Sequence, residues 1–100
     1  MVDQTIFAKV KAFAELVKAS LPVKRVVLFG SYAQGNARPN SDIDVAVILQ
    51  NVPANVWKTE AELFRLARDI DFRIEPILVD DTNDFSGFWA EISSYGKVIY

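Results

Sequence analysis

Hydrophobic and polar residues follow each other along the chain with two periods, one typical of helices and one typical of strands. Residues 3–20 carry apolar side chains at helical spacing, with Asp3 in position to cap the first turn and Pro22 to stop the helix. The runs RVVLF at 25–29 and IDVAVIL at 43–49 are rich in β-branched residues and predict buried strands. The first half of the chain therefore predicts one long helix and two short strands.

The second half of the chain predicts two more helices around a third strand. Asn55 can cap a helix in which apolar residues recur every three or four positions. Residues 71–79, DFRIEPILV, alternate apolar and polar side chains and predict a half-buried strand, in which Pro76 indicates an edge position or a bulge. Aromatic residues from Phe85 onward predict a last short helix, and residues 98–100 predict a closing strand or a docked tail.

This order of elements predicts an α/β (α+β) fold, in which a small mixed β-sheet is flanked by helices. With 100 residues, no internal repeat and no linker, the chain is expected to form a single domain over residues 1–100. It shows no signal-peptide pattern, and its longest apolar run is far too short to cross a bilayer. A cytoplasmic protein without membrane contact is therefore expected.

The residue types that the chain lacks limit the nucleophiles, bases and metal ions that its function can use. The chain has no cysteine and no histidine, which excludes thiol nucleophiles, thiolate zinc sites and histidine bases. Any bound metal is therefore a hard cation on oxygen ligands, namely Mg²⁺, Mn²⁺ or Ca²⁺. A net charge of −2 argues against nucleic acid as a partner, because nucleic-acid binding normally needs a clustered basic face.

A glycine and a serine, Gly30-Ser31, lie where the first strand turns into a short helix. Backbone amides and the helix dipole at such a junction favour phosphate, and the serine hydroxyl adds a donor. A Walker A loop is excluded, because Asn36-Ala37 stand where Lys and Ser or Thr are required. The glycine alone is equally consistent with a plain turn at the end of a strand.

Two aspartates at the start of the second strand add carboxylates near this turn. Asp42 and Asp44 are two residues apart, so both side chains point to one face. Asp71 opens the third strand, and if that strand lies beside the second, the three carboxylates converge across about 5–8 Å. Such a cluster is costly when empty and favourable around divalent cations. Glu75 lies on the same face as Asp71 and is the alternative third carboxylate.

The spacing of these residues matches a known motif. The pattern G-S-x3-G-x5-S-D-x-D resembles that of the minimal nucleotidyltransferases in the DNA polymerase beta superfamily, and DFRIEP at 71–76 resembles the superfamily's third motif. The residues that carry the first pattern are Gly30, Ser31, Gly35, Ser41, Asp42 and Asp44. One departure is Gln34, where many relatives carry arginine, and this leaves fewer cationic groups for phosphate.

The resemblance implies an enzyme that transfers a nucleoside monophosphate to a hydroxyl of a protein or a small molecule. The monophosphate that we expect is AMP, taken from ATP. The resemblance also implies two Mg²⁺ ions, with Mn²⁺ as a substitute. The residues implied to bind the triphosphate are Gly30, Ser31 and Ser41. The residues implied to hold the metal ions and carry out catalysis are Asp42, Asp44 and Asp71. Asp71 would be the base for the acceptor hydroxyl, and Arg73 either pairs with the carboxylates or contacts phosphate.

The resemblance also implies a protein partner, because minimal relatives often pair with a small helical toxin-like protein. The chain would then be the antitoxin of a toxin–antitoxin pair, and a homodimer is the second assembly that we expect. Six aromatic side chains are candidates either for the interface or for the core: Trp57, Phe85, Phe88, Trp89, Tyr95 and Tyr100. The alternative function is a non-catalytic nucleotide-binding or antitoxin module that acts by direct protein contact.

Overall fold

The computed structural model describes residues 3–100 and has four helices and four strands within that range. The helices are α1 (Gln4–Ser20), α2 (Gly30–Gln34), α3 (Val56–Arg68) and α4 (Phe88–Tyr95). The strands are β1 (Val23–Phe29), β2 (Ile43–Leu49), β3 (Ile74–Leu78) and β4 (Lys97–Val98). The predicted order of elements is confirmed, and β2 has the predicted bounds.

Both predicted helix caps are present. The Asp3 carboxylate accepts hydrogen bonds from the backbone N–H of Thr5 at 2.8 Å and of Ile6 at 3.3 Å. The Asn55 side-chain oxygen accepts a hydrogen bond from the N–H of Lys58 at 3.0 Å. These side chains satisfy amides that the start of a helix would otherwise leave unpaired, so local sequence sets where α1 and α3 begin.

The four strands form one mixed sheet in the order β3-β2-β1-β4. Strand β1 is antiparallel to β2 and to β4, whereas β2 and β3 are parallel. The predicted small mixed sheet flanked by helices is therefore confirmed. At the start of β2, the register places Asp44 between Phe29 of β1 and Glu75 of β3. Strand β3 lies at an edge of the sheet, which is one of the two positions that Pro76 indicates.

The two faces of the sheet are covered by different helices. Ile43 and Val45 of β2 belong to the larger core cluster, which the sheet forms with α1 and α3. Ala46 belongs to a second cluster, which contains Ile92 of α4. Because successive side chains of a strand point to opposite faces, Asp44 lies on the α4 face of the sheet, at the point where β2 begins.

The third strand begins later than the alternation over 71–79 predicts. The Ile74 N–H donates to the Asp71 backbone oxygen at 3.1 Å, which closes a turn before β3. The Asp71 carboxylate accepts a hydrogen bond from the backbone N–H of Arg73 at 2.9 Å. Such local hydrogen bonds compete with strand pairing, and Phe72, predicted to lie on the buried side of the strand, is 86% exposed.

The aromatic side chains divide between the core and the surface. Phe88, Trp89 and Tyr95 of α4 pack against the second core cluster, on the sheet. Trp57 and Phe85 are 84% and 94% exposed, and α4 starts at Phe88 rather than at Phe85. Within residues 3–100, no helix combines the length and the hydrophobicity that crossing a membrane requires.

Candidate active site

The junction between β1 and α2 depends on a glycine. Gly30 has a φ of 73°, a left-handed conformation that side chains disfavour. A Cβ at this position would overlap the carboxylate of Asp44, whose Oδ2 would be its nearest neighbour. The glycine therefore allows the backbone to lie directly against a carboxylate, an approach that a plain turn at the end of a strand does not need.

The candidate phosphate-binding turn consists of Gly30 and Ser31. The Gly30 N–H donates to the hydroxyl of Tyr95, on α4, at 3.2 Å. Ser31 is half-buried in the first turn of α2, whose N-cap residue Phe29 provides no side-chain hydrogen bond to the helix amides. Uncapped amides at the start of a helix are suited to bind an anion.

Three carboxylates lie at the end of the sheet beside Gly30. Asp44 is half-buried in β2, Asp42 is exposed just before that strand, and Glu75 is the exposed neighbour of Asp44 in β3. Burial, followed by the negative charges of Asp42 and Glu75, raises the pKa of Asp44 above its ordinary value. Within residues 3–100, none of the three carboxylates forms an ion pair. This negative cluster, Asp42, Asp44 and Glu75, is therefore suited to bind a cation.

Asp71 lies in a different electrostatic environment. Its Oδ2 is 2.8 Å from Arg73 Nη2 and 2.8 Å from Lys9 Nζ, and its side chain is only 7% exposed. Hydrogen bonds from the Arg73 side chain, and then from Lys9, hold the pKa of Asp71 well below its usual range. The carboxylate of Asp71 is thus ionised and already paired with two cations.

The structure does not bring Asp71 to the aspartate pair, and it brings Glu75 there instead. The parallel register aligns Ile74 with Ile43, so Asp44 has Glu75 as its neighbour. Residue 71 falls in the turn ahead of the paired residues, where strand alternation does not apply. The prediction that Asp71 converges with Asp42 and Asp44 is therefore corrected, because the strand register places Glu75 beside Asp44. The hydrophobic pattern of a single strand cannot reveal this register.

Two other candidates, Ser41 and Arg73, support the loop that precedes β2. The Ser41 hydroxyl oxygen accepts a hydrogen bond from the N–H of Arg38 at 2.8 Å, within the loop. Arg73 pairs with Asp71, and its Nη1 donates to the backbone oxygen of Pro39 at 2.8 Å. The sequence leaves two roles open for Arg73, pairing with a carboxylate or contact with phosphate. The structure shows pairing with a carboxylate, that of Asp71, which lies outside the negative cluster.

The negative cluster fits a metal ion that arrives together with phosphate. No group of three or more acidic side chains among residues 3–100 converges closely enough to hold a metal ion by itself. Mg²⁺ is usually bound by one or two carboxylates together with the phosphate oxygens of a substrate. Asp44 at the start of β2 and Asp42 just before that strand would provide such a partial set of ligands. Because these donors are oxygens, they suit Mg²⁺ or Mn²⁺.

Comparison with known proteins shows the family to which this chain belongs. The family model described as polymerase beta, nucleotidyltransferase matches residues 11–100. The chain belongs to this family. The match spans the turn at Gly30 and the strands that carry Asp44 and Glu75, and the protein is therefore a nucleotidyltransferase.

Individual relatives agree with the family match. A Methanocaldococcus jannaschii protein, named as a candidate protein adenylyltransferase, is 32% identical over 93 residues, which cover 87% of this chain and 91% of the relative. The protein adenylyltransferase MntA of Shewanella oneidensis is 30% identical over 87 residues, which cover 86% of this chain. The matched region spans only 60% of MntA.

Solved structures share the fold. A chain in a crystal structure of a toxin–antitoxin with AMP-PNP is 28% identical, with a TM-score of 0.64 over 94% of this chain and 72% of that chain. A candidate nucleotidyltransferase from Sulfolobus solfataricus is 23% identical, with a TM-score of 0.68 over 93% of this chain and 78% of that chain. The second likeness concerns the fold alone.

Asp44→Asn is expected to raise the melting temperature of the metal-free protein at neutral pH. Because the folded-state pKa of Asp44 is raised, protonation of this group favours the folded state. This contribution to the stability of the folded state is lost as the pH rises from the ordinary pKa of aspartate through the raised pKa of Asp44. The Asp44 carboxylate is then ionised, and the charges of Asp42 and Glu75 repel it. Asparagine removes this repulsion.

Melting curves recorded in EDTA between about pH 4 and pH 8 test this expectation. The difference between Asp44→Asn and the wild type should grow with pH and then level off. Asp69→Asn, a change at an exposed aspartate outside the negative cluster, is the control and should follow the wild type. A lower melting temperature for Asp44→Asn at neutral pH would contradict the electrostatic description of the cluster.

Proposed function

We propose that this nucleotidyltransferase transfers AMP from ATP to a hydroxyl group of a partner protein, with Mg²⁺ as the metal. The observation that carries the proposal is the close approach of the Gly30 backbone to the Asp44 carboxylate, which Asp42 and Glu75 flank. A turn suited to phosphate thus lies beside carboxylates suited to metal ions. The name of MntA, a protein adenylyltransferase, and the AMP-PNP in a related structure support ATP as the donor and a protein as the acceptor.

In this proposal, the turn and the aspartates position the triphosphate. The Gly30 N–H and the Ser31 hydroxyl bind the phosphates that will leave, and a phosphate oxygen replaces the Tyr95 hydroxyl on the Gly30 N–H. Asp42 and Asp44 would hold Mg²⁺, which when bound neutralises charge on the triphosphate and on the leaving pyrophosphate. In phosphoryl transfer the protein contributes mainly by positioning and electrostatic stabilisation.

Glu75 is the third carboxylate in this proposal and the base for the acceptor. It is exposed beside Asp44, where an incoming hydroxyl can reach it. The proton of the hydroxyl passes to Glu75, a bond forms between the acceptor oxygen and the α-phosphorus, and the bond from the α-phosphorus to pyrophosphate breaks. Asp71 is unsuited to this role because Arg73 and Lys9 already occupy its oxygens.

The surface of the chain supports a protein partner. Trp57, Phe72 and Phe85 are 84%, 86% and 94% exposed, and large aromatic side chains are favoured anchors at protein interfaces. Two related solved structures are toxin–antitoxin structures, one of them MntA-HepT. In our proposal this chain is likewise an antitoxin, and the protein that it modifies is its toxin partner.

Binding of ATP and labelling of a partner test the proposed function. Isothermal titration should show ATP binding with Mg²⁺ or Mn²⁺ that weakens about tenfold or more in EDTA or in Asp44→Asn. ATP labelled at the α-phosphate should then label the protein that co-purifies with the chain. ATP labelled at the γ-phosphate should not, because that phosphate leaves with pyrophosphate.

Three outcomes would change the proposal or the way it is assayed. Absence of ATP binding in the presence of metal would overturn the proposal. Binding of ATP and of a partner without transfer of label would support the alternative function, a nucleotide-binding antitoxin that acts by contact. If the chain purifies only with itself, the homodimer becomes the assembly to be assayed for transfer.

A further inference from the structure

The loop 35–42 carries one of the two proposed metal ligands without regular structure to hold it. The loop runs from the end of α2 to the start of β2, and Asp42 is its last residue. Asp44 is fixed by pairing with its neighbours on both sides, whereas Asp42 precedes the paired residues of β2. On its C-terminal side Asp42 is held by Ile43, whose N–H donates to the backbone oxygen of Arg73 at 2.8 Å. On its N-terminal side the position of Asp42 depends on the contacts that tie the loop to neighbouring elements.

A side chain from the turn before β3 anchors the middle of the loop. Arg73 Nη1 donates to the backbone oxygen of Pro39 at 2.8 Å and to the hydroxyl of Tyr32 at 3.2 Å. The Tyr32 hydroxyl in turn donates to the backbone oxygen of Arg38 at 3.2 Å. Two consecutive residues of the loop are thus tied, directly or through Tyr32, to one guanidinium group.

This guanidinium is itself held in one orientation. Asp71 accepts hydrogen bonds from Arg73 Nε at 3.1 Å and from Arg73 Nη2 at 2.8 Å, a bidentate pair. Asp71 also accepts a hydrogen bond from Lys9 of α1 at 2.8 Å, and its side chain is almost fully buried. A planar guanidinium can bind a carboxylate along one edge and loop oxygens along another, which an ammonium group cannot do.

We infer that Arg73 is a positioning residue for the reaction: oriented by Asp71, its guanidinium holds the loop 35–42 so that Asp42 stands beside Asp44 as a metal ligand. The inference rests on the proposed function, because it takes Asp42 as a ligand of the metal. Arg73 acts through the loop rather than by contact with the negative cluster. Asp71, which the motif resemblance assigns to metal binding and catalysis, instead supports this anchor through its ion pair with Arg73.

Arg73→Lys is the decisive variant, because it keeps the positive charge and removes the planar fork. In the complex with ATP, its affinity for Mn²⁺, measured by electron paramagnetic resonance, should fall about 10- to 100-fold. In the metal-free protein, amide exchange at residues 36–42 should accelerate about tenfold, while exchange in β1 stays unchanged. ATP binding measured in EDTA should remain as in the wild type.

Arg65→Lys is the matched control. Arg65 makes the same bidentate contact with a carboxylate, that of Glu62, at 2.9 Å from Nε and 2.6 Å from Nη2, on the surface of α3. The substitution changes the same chemical groups without touching the loop. It should leave both Mn²⁺ affinity and loop exchange at wild-type values.

Wild-type Mn²⁺ affinity in Arg73→Lys would overturn the inference, even if loop exchange is faster, because Asp42 would then be in place without the anchor. If Arg73→Lys does not fold, Tyr32→Phe decides the question, since it removes only the bridging hydroxyl. Weaker Mn²⁺ binding and faster exchange near Arg38 would support the inference, and unchanged values would overturn it. A wild-type protein that binds neither ATP nor Mn²⁺ would refute the proposed function, and loop exchange would still report whether Arg73 anchors the loop.

Discussion

Glu75→Gln is expected to lower the rate of nucleotidyl transfer by about 10³-fold, the size of effect typical of losing a general base. Glutamine has nearly the same shape as glutamate but cannot accept the proton of the acceptor hydroxyl. Because Glu75 is exposed on β3 and its charge repels that of Asp44, the change should not lower the melting temperature. The measurement is transfer of α-phosphate label from saturating ATP to the co-purified partner.

Asp71→Asn is the variant to compare with Glu75→Gln, and it should behave differently. It disturbs Arg73 and the loop, so transfer should fall by about 10- to 100-fold rather than 10³-fold. It also breaks a largely buried ion pair, which should cost about 2 kcal/mol and lower the melting temperature by roughly 10 °C. If Asp71→Asn abolishes transfer and Glu75→Gln retains it, the proposed roles of the two carboxylates are reversed.

The pH dependence of stability should reflect the same ion pair. The folded-state pKa of Asp71 lies below its ordinary value. The ion pair therefore stabilises the fold at pH values above the ordinary pKa of aspartate. The stabilisation is lost as the pH falls from the ordinary value toward the lowered one. Asp71→Asn should therefore differ from the wild type at neutral pH and approach it in acid, as melting curves can show.

Gly30→Ala is expected to abolish metal-dependent ATP binding as measured by titration. The positive φ of Gly30 alone should cost about 1–2 kcal/mol with any Cβ present. In addition, the new Cβ would overlap the Asp44 carboxylate, which must then move away from its place in the cluster. Displacing Asp44 removes one of the proposed metal ligands, so the ATP binding that depends on the metal should be lost with it.

Gly87→Ala separates the two costs of Gly30→Ala, which are the strain of a positive φ and the overlap with Asp44. Gly87 has a φ of 77°, close to that of Gly30, but no heavy atom would lie within 4 Å of a new Cβ. The variant should therefore lose stability without losing ATP binding. Equal ATP binding by Gly30→Ala and Gly87→Ala would show that the contact between Gly30 and Asp44 is unimportant for the nucleotide site.

The sequence alone determined the local elements and the family. Asp3 and Asn55 cap the helices as predicted, and β2 covers the predicted residues 43–49. Capping and hydrophobic periodicity depend on residues within a few positions of each other, so they can be read from one segment at a time. The glycine, serine and aspartates of residues 28–49 have a spacing specific enough to indicate a nucleotidyltransferase, and the family match over residues 11–100 bears this out.

Only the tertiary structure decided which carboxylate joins the aspartate pair. Alternation along 71–79 places Asp71 and Glu75 on the same face, and the pairing of β3 with β2 selects Glu75. Likewise, the contacts of Arg73 with Pro39 and Tyr32 join residues more than thirty positions apart. Strand register and long-range ion pairs are set by the packing of distant segments against one core, and no local pattern specifies them.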